Sequence, residues 1–270
     1  MKLSELTQDE ISWALAIREA ALADPTTAST AAVMKDLEFV QHAIVAEDDT
    51  GKALVRIKNL RKFKDLYGIM GDGSYEDGLR DVESNMRFFP DFFLGFSQLK
   101  QDSSHLFCYD FSQYKVRQID SHEGHAVCMR AFFYGVQAAH SNVNSMRAGI
   151  RIVGDFKGLS FDNFSISGEK RAAHLYNSRC YPMRLTEITM MRANVLIRLF
   201  YAILIKFVLT KKAAEAFRFT PDRDEYLSSF LPHNLPESWG GKQTGEMTAE
   251  LLATRLRERY ENAETFRLTP

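Results

Sequence analysis

The sequence predicts an α/β fold, in which a helical N-terminal region precedes a sheet covered by helices. Two observations support this prediction. The first hundred residues show helical periodicity and capping signals, whereas short strand-like segments alternate with helical segments beyond about residue 100. A chain of 270 residues, 45% of them apolar, is also long enough to bury a substantial core.

The N-terminal region begins with a clear helix start signal. Thr7 and Glu10 have the spacing of a capping box, and Pro25 ends the helix that follows. The basic segment 52–64, KALVRIKNLRKFK, contains six cations and no acid, and we interpret it as a helix with a charged face. Further helices are predicted over 31–47 and between the acidic, glycine-containing loop 71–78 and Phe89.

The second part of the chain contains aromatic and β-branched segments of strand length. Strands are predicted over 105–111, 149–156, 184–191 and 215–220, and helices over 124–139, 169–179, 193–209 and 248–266. This alternation indicates a sheet with helices packed on it. We therefore divide the chain into a helical region (1–100), a sheet-containing domain (101–245) and a C-terminal amphipathic helix (246–270).

The most apolar stretch, 193–209, contains Arg198 and Lys206. A membrane-spanning helix needs about 20 apolar residues with few charges, and each central cation costs about 2.5–3.5 kcal/mol on the insertion scale. We therefore reject a membrane span. Two interpretations stay open, a buried core helix and an amphipathic helix that covers an apolar cavity or touches a bilayer.

Composition and motif spacing exclude several classes of protein. Nearly equal numbers of charges, 34 basic and 35 acidic, argue against a nucleic-acid coating protein. Three scattered cysteines and the absence of an N-terminal apolar segment favour a cytoplasmic protein without disulfides. The pair His122 and His125 lacks metalloprotease spacing, and Gly158–Asp162 lacks the closing glycine of a nucleophile elbow. We expect no metal, no cofactor and no catalysis.

Four segments, in order, resemble the CRAL-TRIO (Sec14-like) lipid-binding domain family. They are LVRIKNLRKF (54–63), GIRIVGDFKGLSF (149–161), YPMRLTEITMMRANVLIRLF (181–200) and LPHNLPESWGG (231–241). The pattern is closer to the alpha-tocopherol transfer and retinaldehyde-binding branch than to the yeast phosphatidylinositol exchanger, whose class typically has Glu where this chain has Met183.

The resemblance implies a mostly parallel sheet as floor, covering helices, and a mobile gate helix, 193–209, over an apolar cavity. It implies a carrier of one hydrophobic ligand (a lipid, tocopherol, retinoid or carotenoid-like molecule) that contacts anionic membranes peripherally and binds no nucleic acid. An alternative is a lipid-sensing module that docks a protein partner without transfer. A third hypothesis, an enzyme acting on a lipid, requires a titratable pair in the cavity, and only Tyr134, His140 and His174 are near it.

The resemblance also implies which residues contact the ligand. Alignment with the tocopherol branch puts Met129, Phe132, Val136 and Ile150 at cavity-lining positions. Further candidates for this wall are Phe133, Ile152, Phe161, Phe164, Ile166, Leu175, Met191, Val195, Leu196 and Leu199. Ordinary core packing is the competing interpretation for each of them.

A basic cleft beside the gate is a further expectation from the same branch. Arg61, Arg80, Arg184 and Lys212 fall on or near its cationic positions, where they would bind a phosphoinositide headgroup or an anionic membrane. Thr186 and Ala216 stand where relatives carry Arg, which weakens the headgroup prediction. Residues 184–212 nevertheless contain six cations and one acid, a bias that attracts anionic lipid.

Overall fold

The computed structural model describes residues 2–69, 73–88, 93–114, 116, 120–159, 180–220 and 222–269. These residues form a mixed α/β structure with a helical N-terminal region, a five-stranded, mostly parallel sheet and a long C-terminal helix, as the sequence predicts. Four of the predicted cavity-wall residues, Phe161, Phe164, Ile166 and Leu175, lie outside the described residues, as do His174 and the predicted helix 169–179.

The described part of the N-terminal region contains five α-helices. They are α1 (Gln8–Ala23), α2 (Ala28–Ala31), α3 (Asp36–Ala46), α4 (Thr50–Tyr67) and α5 (Tyr75–Phe88). The predicted capping box is present, since the Thr7 hydroxyl accepts from the Glu10 N–H (3.2 Å) and the Glu10 carboxylate accepts from the Thr7 N–H (2.8 Å). The helix predicted over 31–47 is α3, which begins at Asp36 rather than at residue 31, because the Glu38 carboxylate accepts from the Lys35 N–H (3.1 Å) and caps the helix there.

The sheet consists of β1 (Phe93–Gln98), β2 (His105–Asp110), β3 (Ile150–Asp155), β4 (Leu185–Met191) and β5 (Phe217–Thr220), in that spatial order. β1 is antiparallel to β2, and the other pairs are parallel. The last four strands match the predicted segments. β1 was not predicted, and it begins the sheet before residue 101.

Six helices occupy the rest of the described chain. They are α6 (His122–Ala139), α7 (Val143–Ala148), α8 (Val195–Phe207), α9 (Lys211–Glu215), α10 (Arg223–Ser228) and α11 (Gly245–Thr265). Among the described residues, no helix combines the length and apolarity needed to cross a bilayer.

The two faces of the sheet pack against different parts of the chain, since successive strand side chains point to opposite sides. One face, which includes Phe107, Ile152 and Ile188, shares a core with α6 and α8. The other face packs against the segment 227–239. A separate apolar cluster joins α1, α3 and α4 to α7 and to the residues that follow α11.

Candidate functional site

An apolar wall forms where α6 lies on the sheet. Phe133 and Val136 of α6 are fully buried in the same core as Ile150 and Ile152 of β3. Met129 and Phe132 are partly buried and pack against that core. The structure therefore brings together the six described candidates that precede residue 160: Met129, Phe132, Phe133, Val136, Ile150 and Ile152.

Met191 lies elsewhere. It is buried on the opposite face of the sheet, in the cluster that contains Leu106, Val153 and Trp239. Its neighbour Met190 contacts the apolar wall instead. The strand alternation explains this placement, because a shift of one residue moves a side chain to the other face.

Three aromatic side chains extend the wall toward the N-terminal region. The Tyr181 ring lies 5.2 Å from the Phe132 ring and 4.8 Å from the Phe63 ring of α4. Tyr67, one turn beyond Phe63, packs on Phe63 at 4.7 Å. Sequence reasoning did not assign Phe63, Tyr67 or Tyr181 to the wall, although all three lie in or beside segments that carry the family resemblance.

Polar groups in this aromatic cluster are hydrogen-bonded. The Tyr67 hydroxyl and the His125 Nε2 atom lie 2.8 Å apart, and the Tyr181 hydroxyl donates to the Met129 carbonyl at 3.4 Å. Burial raises the pKa of Tyr181 well above its usual value. Tyr181 is therefore held in its neutral form, and these hydrogen bonds are satisfied within the cluster.

The enzyme hypothesis requires Tyr134 and His140, and both side chains pack against neighbouring helices. The Tyr134 ring lies so close to Gly78 of α5 that a Cβ atom there would be 2.8 Å away. His140 is fully buried, and its Nδ1 atom lies 2.9 Å from the Gln41 Nε2 atom. Burial raises the pKa of Tyr134 and lowers that of His140 to about 3. Both side chains are accounted for by packing between helices.

Helix α8, the gate helix of the resemblance, closes over the end of the sheet. The Asn194 side chain caps it by accepting from the Ile197 N–H at 2.9 Å. Ile197, Tyr201 and Leu204 are buried in the core of the apolar wall. The Tyr201 ring meets the Phe156 ring edge-on, with 5.8 Å between centroids. One face of α8 is thus firmly packed.

The other face of α8 is apolar and exposed. Its large side chains recur at helical spacing and are Val195 (78% exposed), Leu196, Leu199, Ile203 and Phe207 (72% exposed). We call this surface the outer stripe. Val195, Leu196 and Leu199 were candidates for the cavity wall, but the structure places them on the side of α8 that faces away from it.

Three of the four candidate cations of the basic cleft lie in ion pairs. Arg61 pairs with Asp65 (2.9 Å), Arg80 with Asp77 (2.5 Å) and Arg184 with Glu47 (3.4 Å). Arg184 also donates to the Ile44 carbonyl at 3.2 Å, which ties β4 to the N-terminal region. The side chain of Lys212 lies outside the described structure.

A separate groove of about 610 Å³ lies between the end of β1, residues 233–234 and α11. Its lining includes Gln98, Asn234, Gln243 and Arg255. The lining also includes Leu99, Met247 and Leu251. Because the groove contains none of the predicted wall residues, we do not assign it to the ligand site.

Comparisons with known proteins agree with this geometry. The sequence matches the family model of the CRAL/TRIO domain over residues 95–241, which is more than half of the 270 residues. No curated protein matches the sequence. Among solved structures, 32 chains match. The crystal structure of Sfh5 is similar with a TM-score of 0.55 and 12% sequence identity, over 95% of this chain and 99% of that one. At such identity the likeness shows the fold alone.

Proposed function

The chain belongs to the CRAL/TRIO domain family, and on this premise we propose that it binds a single hydrophobic ligand under α8 and carries it between membranes. Proteins of this family bind hydrophobic lipids, and they are generally not enzymes. The observation that carries the proposal is the pair of apolar faces on α8, one packed on the apolar wall and one exposed.

The exposed face is unusual in its concentration of apolar surface. Of the 12 large hydrophobic side chains that are exposed among the described residues, six lie between Val195 and Val208. Single exposed apolar residues are normal, whereas a contiguous patch indicates a binding surface. An amphipathic helix of this kind buries its apolar stripe at the boundary of headgroups and acyl chains.

Charge favours a bilayer as the occupant of the outer stripe. Lys206 and Lys211 are exposed on and just after α8, and the Lys206 ammonium lies 5.3 Å from the centre of the Phe207 ring. Each such cation near an anionic membrane contributes about 1 kcal/mol. We therefore propose that α8 docks on anionic membranes, with the protein peripherally bound.

Docking through α8 would let the ligand enter the bilayer without exposure to water. The side chains that cover the apolar wall, Ile197, Tyr201 and Leu204, belong to the same helix that would enter the bilayer. A ligand released there passes from one apolar environment to another, and each CH₂ group kept from water saves about 0.8 kcal/mol.

The finer specificity is also a proposal. Phe132 and Val136 stand where relatives of the tocopherol branch carry small hydroxylated residues, and they make the wall bulkier and more apolar. We therefore favour a ligand that is not anchored by a hydroxyl group at this point of the wall. Phosphoinositide binding at Arg61, Arg80, Arg184 and Lys212 requires that a phosphate replace the carboxylate partners of the first three.

Two measurements test the proposal. Organic extraction of the purified protein, followed by mass spectrometry, should detect a hydrophobic molecule, or the protein should take one up from vesicles. The proposal is overturned if neither tocopherol, retinoid, carotenoid nor phospholipid is retained or taken up.

The docking step has a matched control. Phe207→Asp should abolish sedimentation with vesicles that contain phosphatidylserine, because a carboxylate at the stripe opposes both apolar and electrostatic binding. Leu66→Asp changes a side chain of equal exposure (73%) on α4 and should leave binding intact. Equal loss in the two variants would contradict docking through α8.

The alternative, a lipid-sensing interaction module, gives a different outcome. Phe132→Asp introduces a charge into the apolar wall and should eliminate ligand binding. If a protein partner is still captured by this variant and the unmodified chain transfers no ligand, the outer stripe or the C-terminal helix α11 is a protein-docking surface.

A further inference from the structure

We propose that Asp155 and Arg192 form a latch at the base of α8 that holds the gate closed and sets the rate of ligand exchange. This inference rests on the proposed function and concerns its regulation. Arg192 precedes the N-cap of α8 by two residues, and Asp155 is the last residue of β3. The pair therefore joins the floor of the site to its cover.

The two side chains make a bidentate contact. The Arg192 Nε atom donates to Asp155 Oδ1 at 3.0 Å, and Nη2 donates to Oδ2. Asp155 is only 4% exposed. Paired, charge-assisted bonds of this geometry are among the strongest polar contacts in proteins, and partial burial limits their screening by water.

The backbone of Arg192 is strained at the same place. Its φ of 54° is in the left-handed region, which disfavours residues with a side chain. Such a conformation persists only where surrounding contacts hold it. Here the Arg192 N–H donates to the Thr220 carbonyl of β5 at 3.1 Å, and the Asp155 carboxylate holds the guanidinium.

Asp155 is itself fixed to the sheet. Its Oδ1 atom accepts from the Lys157 N–H at 3.0 Å, and the Phe156 N–H donates to the Met191 carbonyl at 2.9 Å. Phe156 also contacts Tyr201 of α8. The segment 155–157 thus holds α8 at two points, by the ion pair at its base and by an aromatic contact along its length.

The first turn of α8 is tied to the residues just before it. The Arg198 Nε atom donates to the Ala193 carbonyl at 2.9 Å, and the Asn194 side chain caps the helix. Residues 193–207 should therefore move as one unit, and Arg192 is the residue about which they turn. Opening the gate changes the strained backbone at Arg192 and breaks its pair with Asp155.

Asp155→Asn tests the latch with little change in shape. The amide oxygen still accepts from the Lys157 N–H, but the charge is lost, so the closed state should weaken. We expect hydrogen–deuterium exchange of the 195–207 amides, and transfer of bound ligand to vesicles, to become roughly tenfold faster. Arg192→Lys keeps the charge without the planar fork and should give a smaller increase.

Asp102→Asn is the control, since it breaks an ion pair with Arg151 near the other end of β3 (2.5 Å) and should not change α8 exchange. Unchanged amide exchange in both Asp155→Asn and Arg192→Lys would overturn the latch. If Asp155→Asn does not fold, Arg192→Lys decides alone. Because amide exchange needs no ligand, failure of the latch is distinguishable from a failure of the unmodified protein to bind or transfer lipid.

Discussion

The outer stripe of α8 and the junction of α3, α6 and α11 distribute their side chains in opposite ways. On α8, large apolar side chains such as Leu199 and Phe207 are exposed. At the junction, Gln41, His140 and Arg259 are buried. The outer stripe exposes apolar side chains to water, and the junction buries polar side chains away from water. Neither region follows the usual rule that apolar side chains are buried and polar ones exposed.

The hydrogen bonds at the junction explain why it tolerates buried polar groups. The Gln41 Oε1 atom accepts from Arg259 Nη2 at 2.6 Å, so its Nε2 atom must be the donor to the Pro182 carbonyl (3.0 Å) and to His140 Nδ1 (2.9 Å). Arg259 Nε also donates to Gln137 Oε1 at 3.0 Å. His140 is therefore neutral, with its proton on Nε2.

This contrast indicates which parts of the molecule are rigid and which can move. The junction joins three helices and the segment just before β4 through directional bonds that require one geometry. The apolar side chains of the outer stripe make no such bonds. The free energy of exposing them depends on whether they are surrounded by water or by a bilayer. We therefore expect substitutions at the junction to change folding and substitutions on the stripe to change docking.

Lowering the pH should have the largest effect on the free energy of unfolding. Burial, with smaller contributions from nearby Arg side chains, lowers the pKa of His42, His105 and His140 to about 3. Since the unfolded chain takes up protons near pH 6.5 and the folded chain does not, stability is complete above pH 6.5 and falls below it. Each histidine contributes about 1.4 kcal/mol per pH unit, so the three together remove about 4 kcal/mol by pH 5.5.

Urea unfolding at pH 7.5 and 5.5 measures this loss. His140→Gln should reduce the pH dependence by about a third, because one of three titrating groups is gone. A free energy of unfolding that does not change between these pH values would contradict the burial of neutral histidines.

Removing the central amide of the junction should have the next largest effect. Gln41→Leu deletes the acceptor of Arg259 and the donor to Pro182 and His140, and should lower the free energy of unfolding by about 3 kcal/mol. Gln101→Leu, at an exposed position, should change it by less than about 0.5 kcal/mol. Urea denaturation measures the free energy of unfolding of both variants. Equal losses in the two would show that the hydrogen bonds of the junction do not stabilise the fold.

The stripe should show the smallest effect on folding. Leu199→Ser should change the free energy of unfolding by less than about 0.5 kcal/mol, since the side chain is already in water. The same variant should bind anionic vesicles more weakly. A loss of stability comparable with that of Gln41→Leu would mean that the stripe is packed against something in the folded protein.

Most of the fold could be predicted from the sequence, because β2 to β5 and the long helices have clear periodicity and end signals. β1 was missed because Gly95 interrupts its pattern. A Cβ atom there would meet the Gln243 side chain at 2.7 Å, so the position is set by a segment about 150 residues away. Periodicity within one segment contains no such information.

The site was predictable in part for a similar reason. Phe133 and Ile152 follow from helix and strand patterns. In α8, apolar residues occupy both faces, so the pattern could not decide whether Leu199 or Ile197 faces inward. The junction was not foreseen, since Gln41, His140 and Arg259 are far apart in the sequence and meet only through the fold.

Because both faces of α8 are apolar, the free energy needed to release the ligand differs between water and a bilayer. If the helix swings away in water, Ile197, Tyr201 and Leu204 become wet in addition to the stripe, at about 25 cal/mol for each Å² exposed. At a bilayer both faces can stay dry. The side chains that would release the ligand at its destination therefore also retain it in transit, without a separate sensor.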